Sequence, residues 1–348
     1  MSADELYMLR CLELASLGAG YVSPNPMVGA VIVADGKIIG EGYHQHYGEA
    51  HAEVNAIHNV LSQYPNAEAL LQRSTMYVSL EPCAHFGKTP PCSDLILKYQ
   101  IPKVVIGSRD PYAEVNGKGI SKLQATGIEV IEGVLKQECL NLNKRFFTRI
   151  AKQRPYIILK WAQTADGYFA PEQGQHWISS ESAKILTHRW RSEEDAVLVG
   201  YRTALSDDPQ LNVRAWTGRN PKRIVIDRNL SLPKSLHLFD QSQETLVFNA
   251  FKTEIDQQIK YLELENFDTL LPQSICYQLY LMDVQSLIIE GGAQTLELFI
   301  KAGLWDEARV FTGSEIWAKG IKSPKLDAKT AEKHHIGTDV LTIYHREI

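Results

Sequence analysis

The chain has 348 residues, 44% of them hydrophobic and 22% charged, the composition of a globular protein and not of a disordered or fibrous one. Its length implies about two domains, and a net charge of −5 with a pI near 6.1 argues against broad, non-specific nucleic-acid binding, which needs a basic surface. A small anionic substrate needs only a local cluster of cations and stays open. The five cysteines, Cys11, Cys83, Cys92, Cys139 and Cys276, are too sparse and odd in number for a secreted disulfide framework. The first residues carry Asp4, Glu5, Arg10 and Glu13, so no signal-peptide core is present. No apolar run is long enough for a membrane span. A cytoplasmic protein without membrane or nucleic-acid partners is expected.

In chain order, Leu6, Leu9, Leu14 and Leu17 recur at near-helical spacing from Ala3 and stop at Gly18. Ser23-Pro24-Asn25-Pro26-Met27-Val28-Gly29 follows, a rigid turn whose Asn25 has an amide able to donate and accept. Met27–Val33 and Lys37–Gly42 read as a hairpin across Ala34-Asp35-Gly36. His51 to Leu61 reads as a helix, Thr75–Leu80 as a strand and Cys92–Tyr99 as a helix. Lys103–Gly107, Gly119–Ala125 and Ile128–Ile131 continue as strand, helix and strand. This order predicts an α/β unit with helices covering a mostly parallel sheet. One polar helix is predicted from Leu135 to Arg149, and the domain boundary falls between residues 146 and 154.

The chemistry concentrates in two runs, His51-Ala52-Glu53 and Glu81-Pro82-Cys83-Ala84-His85-Phe86-Gly87-Lys88-Thr89-Pro90-Pro91-Cys92. One imidazole and two thiolates leave a tetrahedral zinc with an open corner, the arrangement of a catalytic site. The order H-x-E, P-C, Cys is that of zinc deaminases, in which the glutamate moves protons and is not a ligand. Such a metal lowers the pKa of its bound water from 15.7 to about 7. His51, Cys83 and Cys92 are therefore predicted to hold zinc, with Glu53 as the catalytic acid–base. His51 and Glu53 would stand about 200° apart on an ideal helix, so Glu53 reaches the open corner only if the site lies at the helix end. The short form of the signature has two residues between the cysteines, and this chain has eight, Ala84 to Pro91. Those residues either line the pocket, with Lys88 and Thr89 towards a phosphate, or form a solvated loop. His85 as a fourth ligand would instead make the zinc structural. His44 and His46 precede the helix and also lie within reach of the pocket. Asn116-Gly117-Lys118-Gly119 opens a helix with N–H groups free for an anion.

The second half has its own predicted strands at Tyr156–Trp161, Ala196–Gly200, Arg223–Asp227, Thr245–Phe248, Ser286–Ile289, Arg309–Thr312 and Val340–Tyr344. Helices are predicted at Glu181–Arg191 and Gln294–Ala302. Ser286 to Gly292 is a strand running into two glycines and a helix, suited to a phosphate but lacking the G-x-G-x-x-G fingerprint. Thr164-Ala165-Asp166-Gly167 follows the first strand. Thr203 to Arg214 reads as a polar loop, and Arg214 with Arg191 would clamp a phosphate.

Taken together, these residues resemble the bifunctional riboflavin-biosynthesis deaminase/reductase family over the whole chain. The motifs that carry the resemblance are Pro24–Gly29, His51-Ala52-Glu53 and Glu81–Cys92 with its long spacer. In the second half they are Asp166-Gly167, Trp177-Ile178, Ser206-Asp207-Asp208-Pro209 and Glu290-Gly291-Gly292. The resemblance implies a cytidine-deaminase-like α/β/α domain over residues 1–148 and a dihydrofolate-reductase-like α/β domain over 149–348. It implies zinc-dependent deamination of 2,5-diamino-6-ribosylamino-4(3H)-pyrimidinone 5′-phosphate, then NADPH-dependent reduction of the ribosyl chain to ribityl. Ala162, Trp177, Thr203, Asp207 and the run Gly292, Ala293, Gln294, Thr295, Leu296, Glu297, Leu298 would contact NADPH. Asn25, Gln175 (where the family often has Ser), Arg191, Leu211, Arg214 and Glu290 would contact the small phosphorylated pyrimidine. One zinc per chain and a homo-oligomeric assembly are expected.

Overall fold

The computed structural model describes residues 1–84, 90–111, 116–172, 174, 176–328 and 330–346. The chain divides into two units, Met1–Lys152 and Gln153–Ile348.

In the first unit α1 (Ala3–Ser16) begins in a capping box. Ser2 Oγ accepts from the Glu5 N–H, and Glu5 accepts from the Ser2 N–H, which satisfies two otherwise orphaned donors. The hairpin β1 (Gly29–Ala34) and β2 (Lys37–Tyr43) turns through Asp35 and Gly36, both at positive φ. Two left-handed residues in succession match the twist of the flanking strands. Next come α2 (Ala52–Gln63), α3 (Ala67–Leu71), β3 (Thr75–Leu80), α4 (Cys92–Lys98), β4 (Lys103–Ser108), α5 (Lys118–Ala125) and β5 (Glu129–Glu132). The sheet order is β2-β1-β3-β4-β5. β1 runs antiparallel to both β2 and β3, while β3, β4 and β5 are parallel. The expected mostly parallel sheet is thus half antiparallel, because the hairpin, needing no crossover helix, supplies one edge.

Every residue of β1 is buried. Ala30 and Ile32 face the cluster beneath α2, α4 and α5, and Val31 and Val33 face Met8, Cys11 and Leu14 of α1. Alternation along a strand buried on both faces produces this continuous apolar run. The single helix expected over 135–149 is two, α6 (Lys136–Leu142) and α7 (Lys144–Lys152), broken at Asn143. The buried Asn143 side chain accepts from the Met27 N–H and donates to the Met27 carbonyl, each at 2.8 Å. An amide that answers a backbone donor and acceptor together fixes the proline-rich turn.

The second unit contains β6 (Tyr156–Gln163), β7 (Tyr168–Ala170), α8 (Glu181–Glu193), β8 (Ala196–Gly200), α9 (Tyr201–Asp207), β9 (Lys222–Ile226), β10 (Thr245–Asn249), β11 (Glu254–Asp256) and β12 (Ile259–Glu263). It continues with α10 (Leu271–Leu281), β13 (Ser286–Gly291), α11 (Ala293–Lys301), β14 (Glu307–Thr312), β15 (Ile321–Lys322), β16 (Thr330–Ile336) and β17 (Asp339–His345). Its large sheet runs β11-β12-β10-β9-β8-β13-β6-β14-β17-β16. The strands from β12 to β14 are parallel, and β11, β17 and β16 are added antiparallel at the edges. Ile157, Leu159, Leu198 and Ile289 face one core, and Ile158, Val197, Val199 and Ile288 face the other. The polar loop expected from Thr203 is helical through Asp207, in α9. Among the described residues no helix is long and apolar enough to cross a membrane.

Candidate functional site

The first constellation is assembled at element ends. His51 is not helical. It is the N-cap of α2, with φ −72° and ψ 165°, so it leaves the helix axis while Glu53 sits in the first turn. The 200° separation of an ideal helix therefore does not apply to this pair. Gly42 in β2 sets the helix start close to the sheet, since a Cβ there would lie 2.3 Å from the Ala56 nitrogen. Cys83 follows β3 across Pro82, and Cys92 is the first residue of α4.

His51 Nδ1 stands 3.7 Å from Cys83 Sγ and 3.3 Å from Cys92 Sγ. All three ligand atoms lie within 4.8 Å of one another. Tetrahedral zinc with ordinary bond lengths places a nitrogen and a sulfur ligand about 3.6 Å apart, so the donor set fits the ion. One of the two thiols is already disposed to ionise. The hydrogen bond from Cys92, helped by His51, brings the Cys83 thiol down to about 4 against the cost of burial. The same bond pushes Cys92 up, and burial adds to it. The hydrogen bond to Cys83 raises His51 against burial. Burial pushes the Glu53 carboxyl up against the pull of His51. One thiol held low, beside a second thiol, an imidazole and a carboxyl at 3% exposure, makes a site that a cation stabilises.

A supporting layer surrounds these groups. His44, 2% exposed, has Nδ1 3.0 Å from the Ala50 carbonyl, which fixes the proton on that nitrogen. Its Nε2 then accepts from the Asn25 amide at 3.1 Å. Burial lowers the His44 pKa, which keeps the ring neutral in that role, and it meets the His51 ring edge-on at 5.5 Å between centroids. Asn25 therefore reaches the site through His44, while His46 pairs with Glu49 on the exposed surface. The N–H groups expected to await an anion at Gly117–Gly119 are already taken by the protein's own Glu81. Within the long spacer, His85, Phe86, Gly87, Lys88 and Thr89 lie outside the described residues.

The second constellation gathers at the C-terminal ends of β6, β8 and β13. Glu290 receives Arg191 bidentately, Nε and Nη2 each 2.7 Å from a carboxylate oxygen. This edge of the Arg191 fork is therefore taken by the protein's own carboxylate. Arg191 Nη1 donates to the Asn212 carbonyl, and Arg214 Nη1 donates to Asn212 Oδ1. Burial would raise the Glu290 carboxyl, but Arg191, Lys160 and His188 hold it down at about 2. Burial, with Arg191 and Arg214, brings His188 down to about 4. Burial also lowers Lys160, partly offset by Glu290.

Thr203 packs on the Gly291–Gly292 turn, where a Cβ on Gly292 would stand 3.0 Å from Thr203 Oγ1. A Cβ on Gly200 would meet Thr295 Oγ1 at 2.2 Å. Thr203, Gly292 and Thr295 are thus brought together. The seven-residue run from Gly292 does not share one face, however, because α11 turns Leu296 fully into the core and Glu297 outward to Lys301. Ala162 is half-buried on β6, Leu211 is buried, and Asp207 and Trp177 are exposed, the indole at 76%. Gln175 lies outside the described residues. The sequence reading missed Lys160 and His188. Lys160 had a visible signal, a single charge inside Tyr156-Ile157-Ile158-Leu159-Lys160-Trp161.

Residues 1–108 match the family described as cytidine and deoxycytidylate deaminase zinc-binding region, and residues 155–317 match the RibD C-terminal domain. The class is a zinc-binding deaminase unit joined to a RibD-type C-terminal unit. Riboflavin biosynthesis protein RibD of Aquifex aeolicus is 38% identical over 360 residues, covering 99% of this chain and 98% of the relative. That of Escherichia coli is 35% identical, covering 97% and 98%. A solved diaminohydroxyphosphoribosylaminopyrimidine deaminase/5-amino-6-(5-phosphoribosylamino)uracil reductase from Thermotoga maritima superposes with a TM-score of 0.90 at 36% identity, covering 99% of this chain and 98% of its own. The chain belongs to the riboflavin biosynthesis protein RibD family.

Proposed function

We propose that the first unit removes ammonia from 2,5-diamino-6-ribosylamino-4(3H)-pyrimidinone 5′-phosphate and that the second reduces the resulting ribosylaminouracil to its ribityl form. As a member of the RibD family the protein is a deaminase and a reductase of riboflavin biosynthesis, and its cofactors are zinc and NADPH. The observation that carries the first assignment is the convergence of His51, Cys83 and Cys92 beside the buried Glu53.

In this reading His51, Cys83 and Cys92 hold the zinc, which when bound supplies a water activated near neutral pH. Glu53 is placed to move two protons in turn: one from the attacking water to the ring nitrogen, and a second from the hydroxyl of the resulting adduct to the amine, which leaves as ammonia. A carboxyl with a raised pKa is suited to this two-way transfer. Asn25, oriented by the neutral His44, hydrogen-bonds the pyrimidine.

NADPH, when bound in the second unit, supplies the reducing equivalents. Gly292–Thr295 and Thr203 form the turn that receives its phosphates, and Ala162, Asp207 and Trp177 flank it. Arg214, Leu211 and the Arg191–Glu290 pair hold the phosphorylated substrate. Lys160, a half-buried ammonium whose proton is held less tightly than usual, is suited to proton transfer. We further place the protein in the cytoplasm as a homo-oligomer acting without nucleic acid or membrane, as the sparse cysteines and the charge of −5 support.

The test is Glu53→Gln assayed for zinc and for ammonia. Retained zinc with ammonia release reduced by at least about a hundredfold is the expected result. Normal release would remove Glu53 from the mechanism.

A further inference from the structure

Glu81 is 4% exposed and directly precedes Pro82-Cys83. Its carboxylate has no role in the chemistry above, yet it is surrounded by backbone donors. Oε2 accepts from the Gly117 N–H at 3.0 Å and the Asp110 N–H at 3.4 Å. Oε1 accepts from Gly119 at 3.1 Å and Ile120 at 3.3 Å. The first turn of α5 is thus filled by an anion from another strand, where partial positive charge and free N–H groups favour one. Its own backbone N–H donates to the Ser108 carbonyl at 2.9 Å.

The contact continues along the chain. A Cβ on Gly119 would stand 2.0 Å from the Pro82 carbonyl oxygen, so only glycine lets α5 press this closely on the loop. Beyond it, the Cys83 carbonyl accepts from the Ser93 N–H at 3.1 Å, and the Cys92 N–H donates to Cys83 Sγ at 3.2 Å. The one residue between Glu81 and the thiol is a proline, whose fixed φ transmits position with little slack.

We propose that Glu81 is a positioning residue for the metal centre. It ties the Cys83 ligand to the N-terminus of α5, a segment beyond the residues 1–108 that match the deaminase zinc-binding region. The inference rests on the assignment of Cys83 as a zinc ligand. Because Glu81 acts on where the sulfur stands, its loss loosens the metal before it unfolds the unit. Outer groups that orient ligands commonly change metal affinity by about 10- to 100-fold.

The experiment measures zinc transfer from the full-length, zinc-loaded protein to a colorimetric chelator, alongside thermal melting. Glu81→Gln keeps the size but offers two of the four N–H groups a donor instead of an acceptor, and Glu81→Ala removes the anchor. Leu123→Ala, in the buried face of α5, weakens the helix without touching the clasp and serves as the matched control. Both Glu81 variants should release zinc at least about tenfold faster than wild type, with Glu81→Gln the milder, while Leu123→Ala releases it at the wild-type rate. Cobalt-substituted Glu81→Gln should keep its thiolate charge-transfer band at saturating metal, showing Cys83 still bound but loosely held. Release at the wild-type rate from both Glu81 variants overturns the proposal. So does equal acceleration in Leu123→Ala, which would make the effect one of stability alone. A wild-type protein that takes up no zinc, or a Cys83→Ala variant that keeps it, overturns the ligand assignment itself. Zinc held through Cys83 but indifferent to Glu81 overturns only the positioning role.

Discussion

The two candidate sites solve the burial of charge in opposite ways. In the first unit, the donor atoms of His51, Cys83 and Cys92 converge beside the buried Glu53, and a bound metal ion would complete them. In the second, Glu290 and Arg191 complete each other within the chain, with Lys160 and His188 around them. A site that borrows its counter-charge comes apart when the metal leaves, whereas a site that carries its own fails when either partner is removed. The difference fixes what should break each.

The largest effect is expected at the borrowed charge. Cys83→Ala should abolish both zinc binding and ammonia release while leaving NADPH oxidation with the deaminated substrate intact. Metal analysis with the two assays read separately checks this, and loss of both activities together would contradict the division of labour.

Next is the internal pair. Glu290→Ala leaves Arg191 buried without its carboxylate, and removing one member of a buried pair costs about 3–5 kcal/mol. Denaturant unfolding should show this loss, together with loss of the reductase. Replacing both residues by Met should recover much of the stability but not the activity. A stable Glu290→Ala would mean that the pair contributes little to the fold.

A smaller effect is expected at Asn143. Asn143→Leu orphans the Met27 N–H and carbonyl, and unsatisfied buried groups cost about 1–3 kcal/mol. Because the same turn carries Asn25, the KM of the deaminase should rise more than its kcat falls. An unchanged KM would detach the turn from substrate binding.

The smallest is a dependence on pH. His188 is held down at about 4, below its ordinary 6.5, so the unfolded chain binds its proton first. Its contribution to stability is complete above about pH 6.5 and is lost as pH falls from 6.5 towards 4. Glu290, held at about 2 instead of 4.5, contributes above 4.5 and loses this only below it. Melting of the second unit should therefore fall between pH 7 and 5, and His188→Gln should flatten that slope. An identical slope in the variant would assign the dependence elsewhere.

The same contrast explains what could be read from the sequence. The metal ligands sit where elements begin and end, so His51, Cys83 and Cys92 announce themselves as short motifs, and the strands beside them fall within a residue or two of expectation. The Arg191–Glu290 pair joins residues 99 apart in sequence, and nothing local says that Glu290 rather than a phosphate fills the arginine fork. The role of Glu81 was equally hidden, because its partners are backbone N–H groups, which leave no trace in residue identity. Asn143 looked like one more polar residue in a helix, and only the fold shows it ending α6 to reach Met27. The run Ser206-Asp207-Asp208-Pro209 makes the stretch from Thr203 read as a loop, although Ser206 and Asp207 close α9 and Asp208 caps it.

The central claim is that one chain carries two consecutive and separable reactions. It is tested most directly by incubating the zinc-loaded protein with the diaminopyrimidinone phosphate, with and without NADPH, and measuring ammonia and NADPH consumed. The expected result is ammonia in both reactions and one NADPH oxidised per ribityl product in the second. No ammonia from the zinc-loaded protein would contradict the account of the first unit, and ammonia without NADPH consumption would contradict that of the second.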